Sequence, residues 1–202
     1  MLLRIVLLFG ISVVVQMQSS WLTINTSWLK TNYNGQAVIL ILGGLFLLYK
    51  STHEIFEKVE AETTPGNETP IKLSLSKAII QITLLNIVFS FDSILTAVGM
   101  TNGVPNAMTI MVIAIVASVG IMMAFVKPVS AFIEKHPSLQ ILGLSFLILI
   151  GFMLITEGAH LSETEIFNKE VGTIPKGYLY FAISFSLGIE FLNMKLKGRK
   201  NN

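Results

Sequence analysis

One aspartate, Asp92, stands inside a long apolar stretch of this sequence, and it is the only aspartate in the chain. The stretch covers residues 78–100, a length that suits a helix crossing a membrane. An ionisable side chain near the centre of a bilayer costs about 2.5 to 3.5 kcal/mol on insertion scales, and it is tolerated where it meets a partner or a polar interior. We therefore predict a functional role for Asp92.

Oxygen-bearing side chains share one side of the same predicted helix. At about 100° per residue, hydroxyl, amide and small side chains fall on one stripe and the carboxylate falls on a neighbouring one. The remaining surface is an apolar arc, which we expect to face lipid. Oxygen ligands without sulfur or imidazole suit hard cations such as Mg²⁺, Ca²⁺ and Mn²⁺. The first stripe holds Thr83, Asn86, Ser90, Ser93 and Ala97; the second holds Gln81, Asp92 and Gly99, with Thr96 between them; the arc holds Ile80, Leu84, Ile87, Phe91, Ile94, Leu95 and Val98.

Two glutamates also lie in or beside apolar stretches. Glu190 lies deep in the last stretch, and Asn193 follows three residues later on the same face. Glu157 ends the preceding stretch, where a solvated interfacial position is an equal alternative to a functional one. Helix packing is the alternative for the small and hydroxyl residues of the Asp92 stretch, and interhelical hydrogen bonding is the alternative for its amide: Ser90, Ser93, Thr96, Ala97 and Asn86.

The inventory of reactive side chains argues against several kinds of membrane enzyme. The chain has no cysteine, so thiolate metal sites and cysteine nucleophiles are excluded. An intramembrane aspartyl protease needs two aspartates, and a serine protease needs a membrane-embedded histidine, whereas the three histidines lie in loops or at span ends. The sequence has no glycine-rich phosphate loop. Glycines within the apolar stretches predict close helix packing, at Gly43, Gly44, Gly120, Gly143 and Gly151.

The composition places these residues in a membrane protein. Of 202 residues, 52% are hydrophobic and 13% are charged, against about 25% charged in a typical soluble domain. The mean hydropathy is +0.71. A free soluble enzyme, a nucleic-acid-binding module and a disordered chain are excluded, and the net charge of +2 is no sign of a nucleic-acid partner.

Six apolar stretches predict an all-α, polytopic transmembrane helical bundle in a single domain over residues 1–195. The second stretch is short, and an extension back toward Tyr33 stays open. The segment 51–77 is predicted to begin as a helix extension and to continue as a flexible loop, while 127–137 and 157–176 are predicted as loops. A signal peptide is the alternative for the first stretch. The six predicted spans are 2–18, 36–50, 78–100, 107–126, 138–156 and 178–194.

Basic residues are sorted by side, which predicts the orientation. The side that holds the N-terminus, the 51–77 and 127–137 segments and the tail 195–202 carries most of them, and the other side carries only Lys30, Lys169 and Lys176. By the positive-inside rule, both termini are expected in the cytoplasm, with 157–176 on the periplasmic side.

Several segments together resemble the TerC family of integral membrane proteins, in its bacterial inner-membrane branch. The core of the resemblance is residues 86–93, NIVFSFDS, followed by TAVGM at 96–100. Further matching segments follow in order at 135–137, 144–147, 157–158, 174–178 and 190–193. The resemblance implies a metal-ion exporter, most plausibly for manganese, with tellurium resistance as the origin of the family name.

Two departures from the family pattern affect this expectation. The family's other acid-rich motif lies in a first helix, and we expect this chain to lack that helix, which leaves six of seven spans. In addition, Asn86 stands where relatives often carry an aspartate. The chain is therefore expected to be a truncated or degenerate member, or one that needs a partner chain.

The resulting hypothesis is a transporter that binds a divalent cation, Mn²⁺, near the midplane of the inner membrane. Asp92 would be the main ligand, assisted by Asn86 and by Ser90 or Ser93. Glu190, close to Asn193, would be a proton-linked or second ligand, and Glu157 would sit at the periplasmic exit. No tightly bound cofactor and no nucleic acid are expected. The expected partners are the lipid bilayer, the metal ion, and further copies of the chain or another membrane protein. The alternative is a membrane assembly protein in which Asp92 pairs with a partner's Lys or Arg.

Overall fold

The computed structural model describes residues 19–63, 75–101 and 103–200, and it confirms the prediction of an all-α membrane bundle. Within these residues, five helices are long and apolar enough to cross a membrane. The predicted span 2–18 lies outside the described residues. The helices are α1 (Gly35–Thr63), α2 (Leu75–Thr101), α3 (Ala107–Glu134), α4 (Pro137–Leu161) and α5 (Lys176–Lys200).

Several helix ends differ from the predicted spans: α2 begins earlier, at Leu75, and α5 continues to Lys200. Helix α1 continues to Thr63, as expected for a helix extension beyond residue 50. The predicted loop 127–137 is wrong, because α3 runs through Pro128 to Glu134 and only two residues separate it from α4. A proline removes one backbone donor, but the apolar residues after Pro128 continue the helical pattern and carry α3 onward. Helix α4 likewise extends past 156 to Leu161.

A small antiparallel sheet at one end of the bundle is the main element that the sequence did not predict. Its strands, in the spatial order β1-β2-β3-β4, are β1 (Ser20–Asn25), β2 (Leu29–Asn34), β3 (Glu165–Ile166) and β4 (Lys169–Glu170). Tyr33 pairs with Leu22 in this sheet, so the extension of the second span back to Tyr33 is wrong. The predicted loop 157–176 contains the β3–β4 hairpin, whose turn residues Phe167 and Asn168 both have positive φ, 51° and 58°. We call this end of the bundle the sheet end.

Hydrogen bonds fasten the sheet to the ends of α1 and α4. The Asn34 side chain accepts a hydrogen bond from the Ala37 backbone N–H at 2.8 Å, which caps the first turn of α1. Its amide donates to the Leu161 carbonyl at 2.7 Å, at the end of α4. Beside it, the hydroxyl of Thr164 lies 2.9 Å from that of Thr31 and 2.8 Å from that of Ser162. The chain before α1 and the chain after α4 are thus joined.

Helices α1 and α4 pack against each other in antiparallel fashion, and glycines allow their backbones to approach closely. A Cβ built on Gly44 would lie 2.5 Å from the Gly151 carbonyl oxygen, and one on Gly158 would lie 2.9 Å from the Ala37 carbonyl oxygen. A Cβ built on Gly43 would lie 2.7 Å from a side-chain methyl of Val88 in α2. Close packing is therefore confirmed at Gly43, Gly44 and Gly151, and Gly158 joins them.

Gly120 and Gly143 behave differently from these glycines. Among the described residues, no atom lies within 4 Å of a Cβ built at either position. Within the described part of the chain the prediction of close packing is therefore wrong for both, because a glycine in an apolar stretch is needed only where another backbone approaches, and no described backbone does so here.

The orientation of α2 differs from the predicted apolar arc. Phe91 and Ile94, expected to face lipid, are buried at 4% and 1% exposure, and Phe91 belongs to the core with Leu40 and Leu47 of α1. Ser93, expected to face inward, is exposed. Lipid is as apolar as a protein core, so apolar side chains gain nothing by facing it, and packing against α1 decides which face is buried.

Candidate functional site

A cavity of about 270 Å³ lies between α2, α4 and α5, toward the sheet end. Its floor and walls are apolar, and its polar side chains come from all three helices. Its polar lining comprises Asp92, Ser93 and Thr96 of α2, Glu157 of α4, and Lys176 and Tyr180 of α5; its apolar lining comprises Phe89, Ile150, Met153, Leu154 and Leu179. A largely apolar pocket with a few convergent polar groups is typical of a small-ligand site.

The positions of the helices bring these side chains to one level. Asp92 lies nine residues before the end of α2, which is about 14 Å along the helix axis. Thr96 follows Asp92 by one turn, on the same face. Glu157 lies in the last turns of α4, and Lys176 is the first residue of α5. The cavity is thus set below the sheet end rather than at the centre of α4 and α5.

Lys176 and Asp92 form an ion pair across the cavity. The Lys176 Nζ donates to both carboxylate oxygens of Asp92, at 3.1 and 3.2 Å, and to the Thr96 hydroxyl oxygen at 2.5 Å. The two side chains are 29% and 27% exposed, so neither is locked into a dry interior. The aspartate that the sequence singled out therefore has its counter-ion within the chain.

The role of Lys176 was missed by the sequence reasoning, which assigned it to a periplasmic-side loop. The available signal was its position immediately after Pro175, at the start of the last apolar stretch. Proline often precedes or opens a helix, so a lysine next to it marks a helix start. Its four-carbon stem then reaches back along the bundle to a charged partner, as long basic side chains do near helix ends.

The formal charges of the cavity sum to −1. Asp92 and Glu157 each contribute a carboxylate, and Lys176 contributes one ammonium. Two carboxylates and hydroxyl oxygens match the ligands that Mg²⁺, Ca²⁺ and Mn²⁺ prefer. Within the described parts of the chain, no group of three or more His, Cys, Asp or Glu residues is placed to hold a metal ion. Any ion bound here would therefore rely on two carboxylates, on hydroxyl oxygens and on water.

Asn86 and Ser90 lie deeper along α2 than the cavity. The Ser90 hydroxyl contacts the Asn86 side-chain oxygen at 3.4 Å, and Ser90 is fully buried. Ser93 lines the cavity, and its hydroxyl donates to the Ser90 carbonyl at 3.0 Å. Of the predicted α2 ligands, the structure brings Asp92 and Ser93 together, whereas Asn86 and Ser90 form a polar link within the helix.

Glu190 and Asn193 lie at the other end of the bundle. The Glu190 carboxylate accepts a hydrogen bond from the hydroxyl of Ser138, in the first turn of α4. Ser138 and Glu157 are about 28 Å apart along α4, at 1.5 Å per residue. Asn193 is exposed on α5. The seven predicted residues are therefore divided among three levels. Three of them line the cavity, two lie deeper along α2, and two lie at the opposite end: Asp92, Ser93 and Glu157; Asn86 and Ser90; Glu190 and Asn193.

The whole chain matches a known family of membrane proteins. Residues 1–202 match the family model described as "Integral membrane protein TerC family". No solved structure matches the chain.

Three curated relatives illustrate the similarity. A UPF0053 protein of Haemophilus influenzae is 38% identical over 197 residues, which cover 98% of this chain and 75% of the relative. The UPF0053 inner membrane protein YgdQ of Escherichia coli K12 is 39% identical over 201 residues, covering 100% of this chain and 76% of the relative. The UPF0053 inner membrane protein YoaE of the same strain is 36% identical over 178 residues, covering 86% and 32% respectively. The two Escherichia coli names state an inner-membrane location, and none of the three names states a transported substrate.

Proposed function

Because this chain belongs to the TerC family of integral membrane proteins, we propose that it exports a divalent metal cation, Mn²⁺, across the bacterial inner membrane. The observation that carries the proposal is the cavity in which Asp92 and Glu157, from different helices, line one space of about 270 Å³. The choice of manganese follows the family resemblance, and the oxygen ligands are compatible with it.

The two carboxylates supply the charge that a divalent ion needs. Asp92 on α2 and Glu157 on α4 together carry two negative charges, and Ser93 and Thr96 add hydroxyl oxygens to the same space. A hard cation held by one or two carboxylates normally keeps several water molecules, and a cavity of this size has room for them. Asp92 and Glu157 are therefore the proposed ligands.

The proposed orientation of the protein in the membrane follows from the distribution of basic residues. The end opposite the sheet carries the basic groups of α1, α3 and the C-terminal tail, so the proposal places it in the cytoplasm. The sheet end then faces the periplasm, with the cavity on the exit side. Export by alternating access would require a rearrangement that opens a route from Asp92 to the cytoplasmic end, where Glu190 lies beside Ser138.

The experiment is manganese export by cells that express the protein. Cells under manganese stress are compared for manganese content when they carry the wild type, Asp92→Asn, Glu157→Gln or a matched control, Glu170→Gln. Glu170 is an exposed carboxylate of β4 that pairs with His160, away from the cavity. We expect lower manganese content with the wild type and Glu170→Gln, and no lowering with Asp92→Asn.

Two results would contradict the proposal, provided that every variant is present in the membrane at equal level. If the wild type leaves the manganese content unchanged, the chain is not a self-sufficient manganese exporter. If Asp92→Asn lowers the content as much as the wild type, the cavity is not the route of the ion.

An assembly role gains no support from Asp92. That alternative rests on an aspartate that finds its basic partner in another membrane protein. Lys176 of the same chain already contacts both carboxylate oxygens of Asp92. This ion pair favours transport as the function proposed.

A further inference from the structure

We propose that Lys176 is a tethered competitor of the transported cation: its ammonium occupies the cation position at Asp92 and must withdraw before a metal ion binds. This inference rests on the proposed function, because it concerns the same cavity. It assigns Lys176 a role in the affinity and release of the ion, in addition to the role of Asp92 as a ligand.

The contacts of the Lys176 ammonium are those of a bound cation. An ammonium group has three N–H donors and no acceptor. The Lys176 Nζ lies 3.1 and 3.2 Å from the two Asp92 carboxylate oxygens and also contacts the Thr96 hydroxyl. Together with the Ser93 hydroxyl, these three oxygens are the side-chain ligands that α2 offers to a cation in the cavity.

A metal ion and the ammonium cannot share this position. Oxygen ligands hold divalent ions such as Mg²⁺ and Ca²⁺ at about 2.0–2.6 Å. Nζ lies 3.1–3.2 Å from both Asp92 oxygens, so an ion bound between the same two oxygens on the same side would meet Nζ at a distance of direct repulsion between like charges. Binding of the metal therefore requires the ammonium to move away.

The structure leaves Lys176 free to withdraw. Lys176 is the first residue of α5, so its side chain leaves from a helix end on a flexible four-carbon stem. The helix dipole disfavours a positive charge in the first turn of a helix, so the start of α5 does not stabilise the Lys176 ammonium. The stabilising contact comes from Asp92. Both side chains are partly exposed, which gives the ammonium a path out of the pair.

Withdrawal changes the charge that a metal ion meets. With Lys176 in place the cavity has a formal charge of −1, and with Lys176 withdrawn Asp92 and Glu157 leave −2, which matches a divalent ion. Return of the ammonium to Asp92 would then displace the ion and assist its release. Loss of the Lys176 charge is thus expected to tighten metal binding and to slow transport.

The test measures binding of Mn²⁺ to the purified full-length protein in lipid nanodiscs, by the loss of the free-ion electron paramagnetic resonance signal. Lys176→Met removes the charge and keeps the length of the side chain, and Lys176→Arg keeps the charge. If the ammonium holds Asp92 nine times in ten, Lys176→Met tightens the apparent Kd about tenfold. Lys169→Met, on β4 at the same end of the molecule, serves as the matched control and is expected to bind as the wild type does.

The outcomes separate this inference from the function on which it rests. Tighter binding by Lys176→Met, with Lys176→Arg close to the wild type, supports a competing charge. Unchanged or weaker binding by a folded Lys176→Met overturns it, and so does an equal effect of Lys176→Arg, which would indicate a steric cause. If neither the wild type nor any folded variant binds Mn²⁺, the proposed function itself is overturned. Thermal unfolding of each variant establishes that it is folded.

Discussion

The α1–α4 pair and helix α5 are built in contrasting ways. Helices α1 and α4 touch backbone to backbone at Gly44 and Gly151, and their ends are bound together by the sheet. In α5, by contrast, none of the residues of its most apolar stretch is buried within the described molecule, and large side chains such as Phe181 and Phe185 face outward. One part of the bundle is tightly packed, and the other is loosely attached.

This difference in packing indicates which helices can move relative to one another. In lipid, helices gain little from burying apolar side chains against one another, so tight contact depends on small residues and hydrogen bonds. The α1–α4 pair has both, whereas α5 is held to α2 at the cavity by the ion pair of Lys176 with Asp92. Asp92 lies on α2, which packs into the core with α1, and Glu157 lies on α4, whereas Lys176 belongs to the loosely held α5. A shift of α5 can therefore change the site without unpacking α1 from α4.

The largest expected effect on stability comes from filling the contact between α1 and α4. Gly44→Ala places a Cβ 2.5 Å from the Gly151 carbonyl oxygen, which is backbone and cannot turn aside. We expect a loss of about 1–3 kcal/mol in the free energy of unfolding, the usual cost of overpacking. Unfolding in detergent by SDS titration measures it, through the fluorescence of Trp21 and Trp28, the two tryptophans of the chain.

The control for this substitution is Gly120→Ala in α3, where the described structure places no atom within 4 Å of the added Cβ. Alanine is the better helix former, so Gly120→Ala is expected to be neutral or to stabilise the protein by up to about 1 kcal/mol. Equal losses from both substitutions would show that the α1–α4 contact is not the tight one.

The next effect concerns the link between the sheet and the two helices. Asn34→Ala removes the cap of α1 and the hydrogen bond to the Leu161 carbonyl, and it is expected to cost about 1–2 kcal/mol. Asn34→Ser keeps a capping oxygen and loses the amide that donates to the Leu161 carbonyl, so about half of the loss is expected to remain. The same SDS titration applies, and an Asn34→Ser variant as unstable as Asn34→Ala would show that the cap contributes nothing.

A smaller loss is expected within the hydroxyl cluster of the sheet. Thr164→Val keeps the side-chain shape and removes a buried hydroxyl that meets those of Thr31 and Ser162, for about 1 kcal/mol. Thr173→Val makes the same exchange at an exposed position and is expected to change stability by less than about 0.5 kcal/mol. Thermal unfolding distinguishes the two, and indistinguishable melting temperatures would count against the cluster.

The smallest perturbation compares two faces of α2 within one helical turn. The chain has no cysteine, so Ser90→Cys and Ser93→Cys each introduce a single thiol. Ser90 is fully buried, whereas Ser93 is exposed and lines the cavity. We expect a membrane-impermeant maleimide to label Ser93→Cys much faster than Ser90→Cys, with little change in stability. Equal labelling rates would contradict the burial of the Ser90 face.

The helices were largely predictable, and the sheet was not. Long apolar stretches identify spans because a helix in lipid must satisfy its own backbone. The strands of the sheet are short and polar, and β2 pairs with β3 from a distant part of the chain, so their local sequence carries little signal. A strand is recognised by alternation of apolar and polar residues, and the two-residue strands β3 and β4 are too short to show it.

The candidate site was predicted in part. A lone aspartate in an apolar stretch is conspicuous whichever way the helix is rotated in the bundle. Asp92 was therefore identified without knowledge of its neighbours in space. Three features depend on how the helices pack against one another: the position of Glu190 at the far end, the pairing of Asp92 with Lys176, and the burial of Phe91. Periodicity within an apolar helix does not reveal that packing. Lys176 was missed because a long side chain can act far from its own backbone position.

The pairing of α1 with α4 has a consequence for how the protein is made. The two helices are separated in the chain by all of α2 and α3, so α1 enters the membrane before the helix that carries its glycine contacts has been synthesised. Strand β2 likewise enters the folding protein before β3, with which it pairs, has been synthesised. Until α4 is inserted, the face of α1 at Gly44 lacks the Gly151 backbone that covers it in the finished molecule. This firmly packed contact therefore forms only late in synthesis, and a ribosome that stops after α3 leaves a product without it.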